Sequence, residues 1–168
     1  MRIRDYGPID RDAIMELYPR AFPEEDLLPL VRELLAAPEA FSLVADADGA
    51  IVGHIGFTAC AVAGNRDRLS MLAPLAVDPD HQRRGIGKGL IAAGIERLEA
   101  EGYAKLLVLG DPAYYGQWGF AQESGITPPA IPGNWAPAWQ SRELAGLPCK
   151  AAGRLMVPEF WDKPEYWS

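Results

Sequence analysis

The stretch from Leu69 to Leu109 constrains the fold more than any other part of the chain. Leu69 to Val77 is apolar and strand-like, and it ends at Asp78-Pro79-Asp80. After a short polar stretch, Gly85 to Glu101 reads as a helix. Ile86, Leu90, Ile91, Ile95 and Leu98 line one face, and Gly102 stands at the expected C-terminal stop. Leu106 to Leu109 is a continuous apolar run, as expected of a strand buried on both faces. Strand, helix and strand in that order spell a parallel crossover, which returns to its sheet with one hand.

The rest of the chain supplies elements that can flank such a unit. Ile3 to Tyr6 reads as a short first strand. Pro8-Ile9-Asp10 opens a helix carrying Ile14, Leu17 and Tyr18, which Pro19 with Pro23 should end or break. A second helix carries the stripe Leu27, Leu30, Val31, Leu34 and Leu35. Phe41 to Ala45 and Ile51 to Val62 read as a hairpin around the turn signal Asp48-Gly49. Asp111-Pro112-Ala113 starts a short helix that ends at Gly119. Ser124 to Gly146 is rich in Pro, Gly and Trp and reads as a long loop with one strand near Trp139. Arg154 to Val157 reads as a closing strand, and an aromatic tail follows Pro158.

At 168 residues, 49% apolar and 23% charged, the chain is long enough for one globular domain over 1–168. Its net charge of −7 argues against a nucleic-acid partner, whose phosphates call for a basic face. Two distant cysteines, Cys60 and Cys149, form neither a disulfide framework nor a zinc motif, so no metal is expected. Met1-Arg2-Ile3-Arg4-Asp5 lacks a signal-peptide core, and no run approaches the ~20 apolar residues of a membrane span. The expectation is a cytoplasmic protein without a membrane partner.

The chemistry points to the loop between strand and helix. Gln82-Arg83-Arg84-Gly85-Ile86-Gly87-Lys88-Gly89 places three basic residues and three glycines at a helix start. Such a start leaves backbone N–H groups unpaired at the positive end of the helix dipole, and glycine lets a diphosphate approach them. A P-loop would need GxxxxGK followed by Ser or Thr, and that order is absent. The dinucleotide fingerprint fails because Leu90 stands three after Gly87.

Gln82-x-x-Gly85-x-Gly87, directly after a strand ending Val77-Asp78-Pro79, resembles the acyl-CoA loop of the GNAT superfamily of N-acetyltransferases. Gly110-Asp-Pro-Ala-Tyr-Tyr-Gly-Gln-Trp-Gly-Phe120 resembles the short helix and Gly-Phe step after that family's fifth strand. Its wording is most similar to the small bacterial YhbS-like acetyltransferases. The resemblance is strong from about Phe41 to Phe120 and faint elsewhere.

The resemblance implies an α/β (α+β) fold. Its mixed, mostly antiparallel central sheet would have about seven strands and about four flanking helices, and would be splayed between strands 4 and 5. It implies acetyl-CoA as co-substrate and an amine acceptor attacking directly in a ternary complex. By matched position, Leu75, Ala76 and Val77 would pair with the pantetheine as an added strand would. The N–H near Leu75 would face the thioester oxygen. The amides of Arg84 to Gly89 would hold the pyrophosphate within the loop Gln82–Gly89. Tyr115 would protonate the departing thiolate.

That transfer runs from a phenol of pKa about 10 to a thiolate whose acid lies near about 8.5, so it is feasible but not downhill. The base for the amine stays open among Glu24, Glu25 and Asp26 at the turn between the first helices, Asp111, His54, or a water chain. His54 also reads as a structural histidine within a strand, and His81 as exposed loop beside the cradle. Trp135 and Trp139 could wall an acceptor pocket or simply pack their loop. Dimerisation follows from family habit alone. The competing reading is a catalytically silent acyl-CoA sensor or partner module on the same fold. An O-acyl or longer-chain acyl transferase is a more distant one.

Overall fold

The computed structural model describes residues 1–129, 133–146 and 148–167, with the side chains of 133–135 left aside. In chain order the strands are β1 (Arg2–Asp5), β2 (Ala40–Ala47), β3 (Ala50–Val62), β4 (Leu69–Val77), β5 (Lys105–Leu109), β6 (Ala121–Gln122), β7 (Ile126–Thr127), β8 (Trp139–Glu143) and β9 (Gly153–Met156). The helices are α1 (Arg11–Ala21), α2 (Leu28–Ala36), α3 (Ile86–Ala100) and α4 (Pro112–Tyr115). The sheet is mixed and mostly antiparallel, as expected. The strand count exceeds seven because β6 and β7 are two-residue pairings that carry no periodicity to read.

The chain divides into two compact units, Met1–Thr58 with Leu72–Arg97, and Ala59–Met71 with Leu98–Ser168. The first contains the hairpin β2–β3, with Asp48 and Gly49 both at positive φ in its two-residue turn. β1 is added antiparallel to β2. Side chains alternate along β3. Phe57 points toward α3, where a Cβ at Gly94 would fall into its ring; Gly56, on the other face, leaves room for Leu34 of α2. Ile14, Leu17, Tyr18, Val31, Val44 and Ala76 form one buried cluster. Each such aliphatic side chain contributes about 1.5–3 kcal/mol by leaving water.

Pro19 does not end the first helix, which runs on to Ala21. A proline inside a helix forfeits one hydrogen bond. The buried face of Ile14, Leu17 and Tyr18 holds the turn together, and Phe22 N still donates to Tyr18 O at 2.8 Å.

In the second unit, β4 and β5 are parallel, with Leu69–Met71 registered against Lys105–Leu107. The paired residues end at Met71, and β4 itself runs on to Val77 in the first unit. β8 pairs antiparallel with β5 along its length, and β6 pairs with β8. The long segment from Ser124 to Gly146 therefore holds β7 as well as the strand expected near Trp139; residues 130–132 of it lie outside the described residues. The aromatic tail is anchored by Trp161 and Trp167, both buried, with Trp139 5.9 Å from Trp167 between ring centroids.

Candidate active site

The candidate donor loop lies in the first unit. β4 ends at Val77, and Asp78 caps the turn that follows by accepting from Asp80 N at 2.8 Å. Arg20 of α1 braces the same carboxylate at 2.7 Å. Gln82 Nε2 donates back to Val77 O at 3.2 Å, tying the loop to the strand. Arg83 and Gly85 have φ of 64° and 80°. Nothing stands within 4 Å of a Cβ built on Gly85, so the left-handed backbone, and not crowding, is what calls for glycine there.

α3 then starts at Ile86. The amides of Ile86, Gly87 and Lys88 belong to a first turn that has no acceptor within the helix. Gly89 differs. Its N–H donates to Gly85 O at 2.9 Å, so it is the first amide of α3 committed to the helix and drops out of the expected set of diphosphate donors. Its missing side chain serves packing instead, since a Cβ would lie 2.7 Å from Ile3 Cδ1. Ile86 offers only its backbone, because its side chain is buried. Arg83, Arg84 and Lys88 are exposed around the loop.

On β4, Ala76 is buried in the core cluster, while Leu75 and Val77 are half-buried on the alternate face. His81, beside the loop, is not simply exposed. Its Nδ1 is buried without a hydrogen-bond partner among the described residues, and Asp78 Oδ1 lies 3.5 Å away, outside useful hydrogen-bond geometry.

Tyr115 lies in the second unit, at the last position of α4. Its ring is held edge-on by Tyr114 and Phe120, at 5.0 and 5.7 Å between centroids. A Cβ at Gly110 would collide with that ring, so Gly110 creates the slot Tyr115 occupies. Gln140 Nε2 holds Gly110 O at 3.0 Å, and Gly119, with φ 81°, ends the segment. Burial, with Tyr114 adding to it, pushes the Tyr115 hydroxyl well above its ordinary value. The phenol therefore stays protonated, the form a proton donor needs, and holds that proton more tightly than a free tyrosine does.

The open question of the base is narrowed by where the candidates fall. Asp111 spends its carboxylate capping α4, accepting from Ala113 N at 2.9 Å. Glu24, Glu25 and Asp26 line a pocket of about 340 Å³ with Tyr18, Pro19, Phe22, Pro23, Leu27 and Leu28. His54 is fully buried, which holds its imidazole neutral and pushes its conjugate acid down to about 3. It is not among the residues that line that pocket. Trp139 is buried and donates to Ile126 O at 2.7 Å, which makes it packing and not a pocket wall. The side chain of Trp135 lies outside the described residues.

Two arrangements were not legible beforehand. Tyr18, His54 and Ser42 are hydrogen-bonded in line within the first unit. In the second, Glu123 accepts from Lys105 Nζ at 2.9 Å, Ser141 Oγ at 2.7 Å and the amides of Gly125 and Ile126. Neither has a local sequence signal, since the partners come from different strands and helices.

The profile of the acetyltransferase (GNAT) family matches residues 11–125. The chain is 37% identical over 155 residues to the uncharacterized N-acetyltransferase YjhQ of Escherichia coli K12, covering 87% of this chain and 86% of that protein. It is 36% identical over 124 residues to the uncharacterized N-acetyltransferase YhbS of the same strain, covering 71% and 73%. Its fold superposes on a crystal structure of E. coli YhbS in complex with CoA with a TM-score of 0.86, at 28% identity, covering 96% and 92%. A GNAT acetyltransferase from Brucella melitensis in complex with acetyl-CoA gives a TM-score of 0.76 at 27% identity, covering 96% and 97%.

Proposed function

The chain belongs to the acetyltransferase (GNAT) family, and on that premise we propose that it transfers the acetyl group of acetyl-CoA to a primary amine of a small molecule or protein. Transfer is by direct attack in a ternary complex, within a single acyl-CoA N-acyltransferase domain over 1–168. The observation that carries this reading is the start of α3. Consecutive first-turn amides stand behind a left-handed Gly85, at the end of β4 and among exposed Arg83, Arg84 and Lys88. Such a start favours a diphosphate by dipole and by hydrogen bond. CoA and acetyl-CoA, seen bound to two of the similar proteins, carry that group.

The backbone of Leu75–Val77 lies alongside the pantetheine arm, and the N–H near Leu75 faces the thioester oxygen, where it stabilises developing negative charge. Tyr115 gives its proton to the departing thiolate. The α1–α2 pocket, with its acidic rim, receives the amine.

Purified protein with acetyl-CoA and a broad amine panel should release free thiol in an amine-dependent way, and acetyl-CoA should raise the melting temperature. Binding without turnover of any amine would favour the silent sensor. Absence of stabilisation by either acetyl-CoA or CoA would undo the cradle assignment. Tyr115→Phe should lower kcat by about 10²–10⁴-fold with acetyl-CoA affinity retained. An unchanged rate would remove the acid role from Tyr115 and leave the enzyme reading standing.

A further inference from the structure

Three buried side chains of the first unit form an unbroken line that the donor chemistry does not use. Tyr18 Oη lies 2.6 Å from His54 Nδ1, and His54 Nε2 lies 2.8 Å from Ser42 Oγ. The residues come from α1, β3 and β2, and all are at most 7% exposed. Each end of the line belongs to the lining of a surface pocket. Tyr18 lines the α1–α2 pocket with Glu24, Glu25 and Asp26. Ser42 lines a second pocket of about 220 Å³ with Asp5, Tyr6 and Arg97.

Folding alone does not require this line, because apolar groups of the same shape would serve nearly as well. Its hydrogen bonds also have two equivalent directions. In one, Tyr18 donates to Nδ1 and Nε2–H donates to Ser42. In the other, Ser42 donates to Nε2 and Nδ1–H donates to Tyr18. Every group is neutral in both. One proton can therefore enter at one end as another leaves at the far end, and no charge is left in an interior where it is costly. A ring so hard to protonate passes a proton on and does not store it.

We propose that Tyr18, His54 and Ser42 are the exit path for the acceptor amine's proton, running from the α1–α2 pocket to the pocket lined by Ser42. The inference rests on the reading above, that the chain is an N-acetyltransferase whose amine sits in the α1–α2 pocket. The amine nitrogen attacks the thioester carbonyl carbon, forming the C–N bond and a tetrahedral intermediate with a protonated nitrogen and an oxyanion. That nitrogen's proton passes to Tyr18 Oη as the phenol proton passes to His54 Nδ1. The Nε2 proton passes to Ser42 Oγ, and the serine proton to solvent water. The carbonyl re-forms, the C–S bond breaks, and the thiolate takes the proton of Tyr115, which is replaced from water. After product leaves, passage in the reverse direction restores the starting tautomer. His54 and Ser42 act through Tyr18 and are positioning and relay residues.

The test uses the full chain and an amine that the wild type accepts. Ser42→Ala should lower kcat about tenfold or more while both KM values stay within about twofold, and Ser42→Thr, which keeps the hydroxyl, should restore it. Tyr18→Phe should lower kcat about 10²-fold. In mixtures of light and heavy water, the wild-type rate should show more than one proton in flight, and Ser42→Ala should show one. Circular dichroism and melting curves check that the variants fold. A Ser42→Ala enzyme with unchanged kcat, or one altered only in KM or melting temperature, overturns the relay and leaves the acetyltransferase reading in place. A wild type that turns over no amine overturns both.

Discussion

Acidification should weaken this protein well before its carboxylates titrate, because of His54. The imidazole is fully buried and its conjugate acid is pushed down to about 3, against 6.5 for a free side chain. Between those values the unfolded chain binds a proton that the folded one refuses. The stability contributed by the neutral ring is therefore complete above about 6.5 and is lost as pH falls toward about 3. Each pH unit below 6.5 removes about 1.4 kcal/mol, so moving from pH 7 to pH 5 costs roughly 2 kcal/mol. That is a sizeable part of a typical total of about 5–15 kcal/mol. Ordinary carboxylates titrate near about 4 and stay out of this window. Urea unfolding followed by tryptophan fluorescence at pH 7, 6 and 5 measures the loss. His54→Gln, whose amide can bridge Tyr18 and Ser42 without titrating, provides the reference and should have a much flatter profile whatever its stability at neutral pH. Equal slopes for wild type and His54→Gln, or a wild type equally stable at pH 7 and 5, would refute the reasoning.

Three further substitutions probe packing and charge. Gly94→Ala should destabilise by about 1–3 kcal/mol in chemical denaturation, because its methyl meets the Phe57 ring; Phe57→Leu in the same chain should recover part of the loss. Gly110→Ala should displace Tyr115 from its slot and lower kcat by about tenfold or more while acetyl-CoA affinity, measured by calorimetry, is kept. Glu123→Gln should cost about 3–5 kcal/mol, read from denaturant midpoints, since it leaves the buried Lys105 ammonium without its carboxylate.

The order of elements and the glycine-rich start of α3 were legible in the sequence because their causes are local. Strand β4 has the expected bounds, Leu69–Val77, and Asp48-Gly49 makes the expected two-residue turn. The free amides at α3 follow from a glycine-rich helix start within a few residues of a strand end. Where the reading went astray, the competing term was tertiary. Pro19 and Pro23 together looked like the stop of α1; the helix ends at Ala21, between them, and Pro19 itself is carried inside by the buried face around it. Gly89 looked like part of the diphosphate cradle. With the helix starting at Ile86, its amide is the first with an acceptor inside the helix, and its lack of a side chain answers to Ile3, far away in the chain.

What could serve the acceptor depends on side chains that meet only after folding. Tyr18 and His54 stand 36 positions apart and Ser42 and His54 stand 12 apart, and each alone reads as ordinary core or strand. Strand pairing and the docking of α1 are what bring hydroxyl, imidazole and hydroxyl into one hydrogen-bonded line. Gly110 likewise carries no sign of its role until the Tyr115 ring is seen in the space its Cβ would fill. The sequence by itself determined the helix start that suits a diphosphate, because backbone amides and glycine torsions are properties of neighbouring residues. Which polar groups are buried together, and which protons they can pass, was decided by the tertiary structure, because burial and hydrogen-bond partnership are relations between segments that the linear order keeps apart.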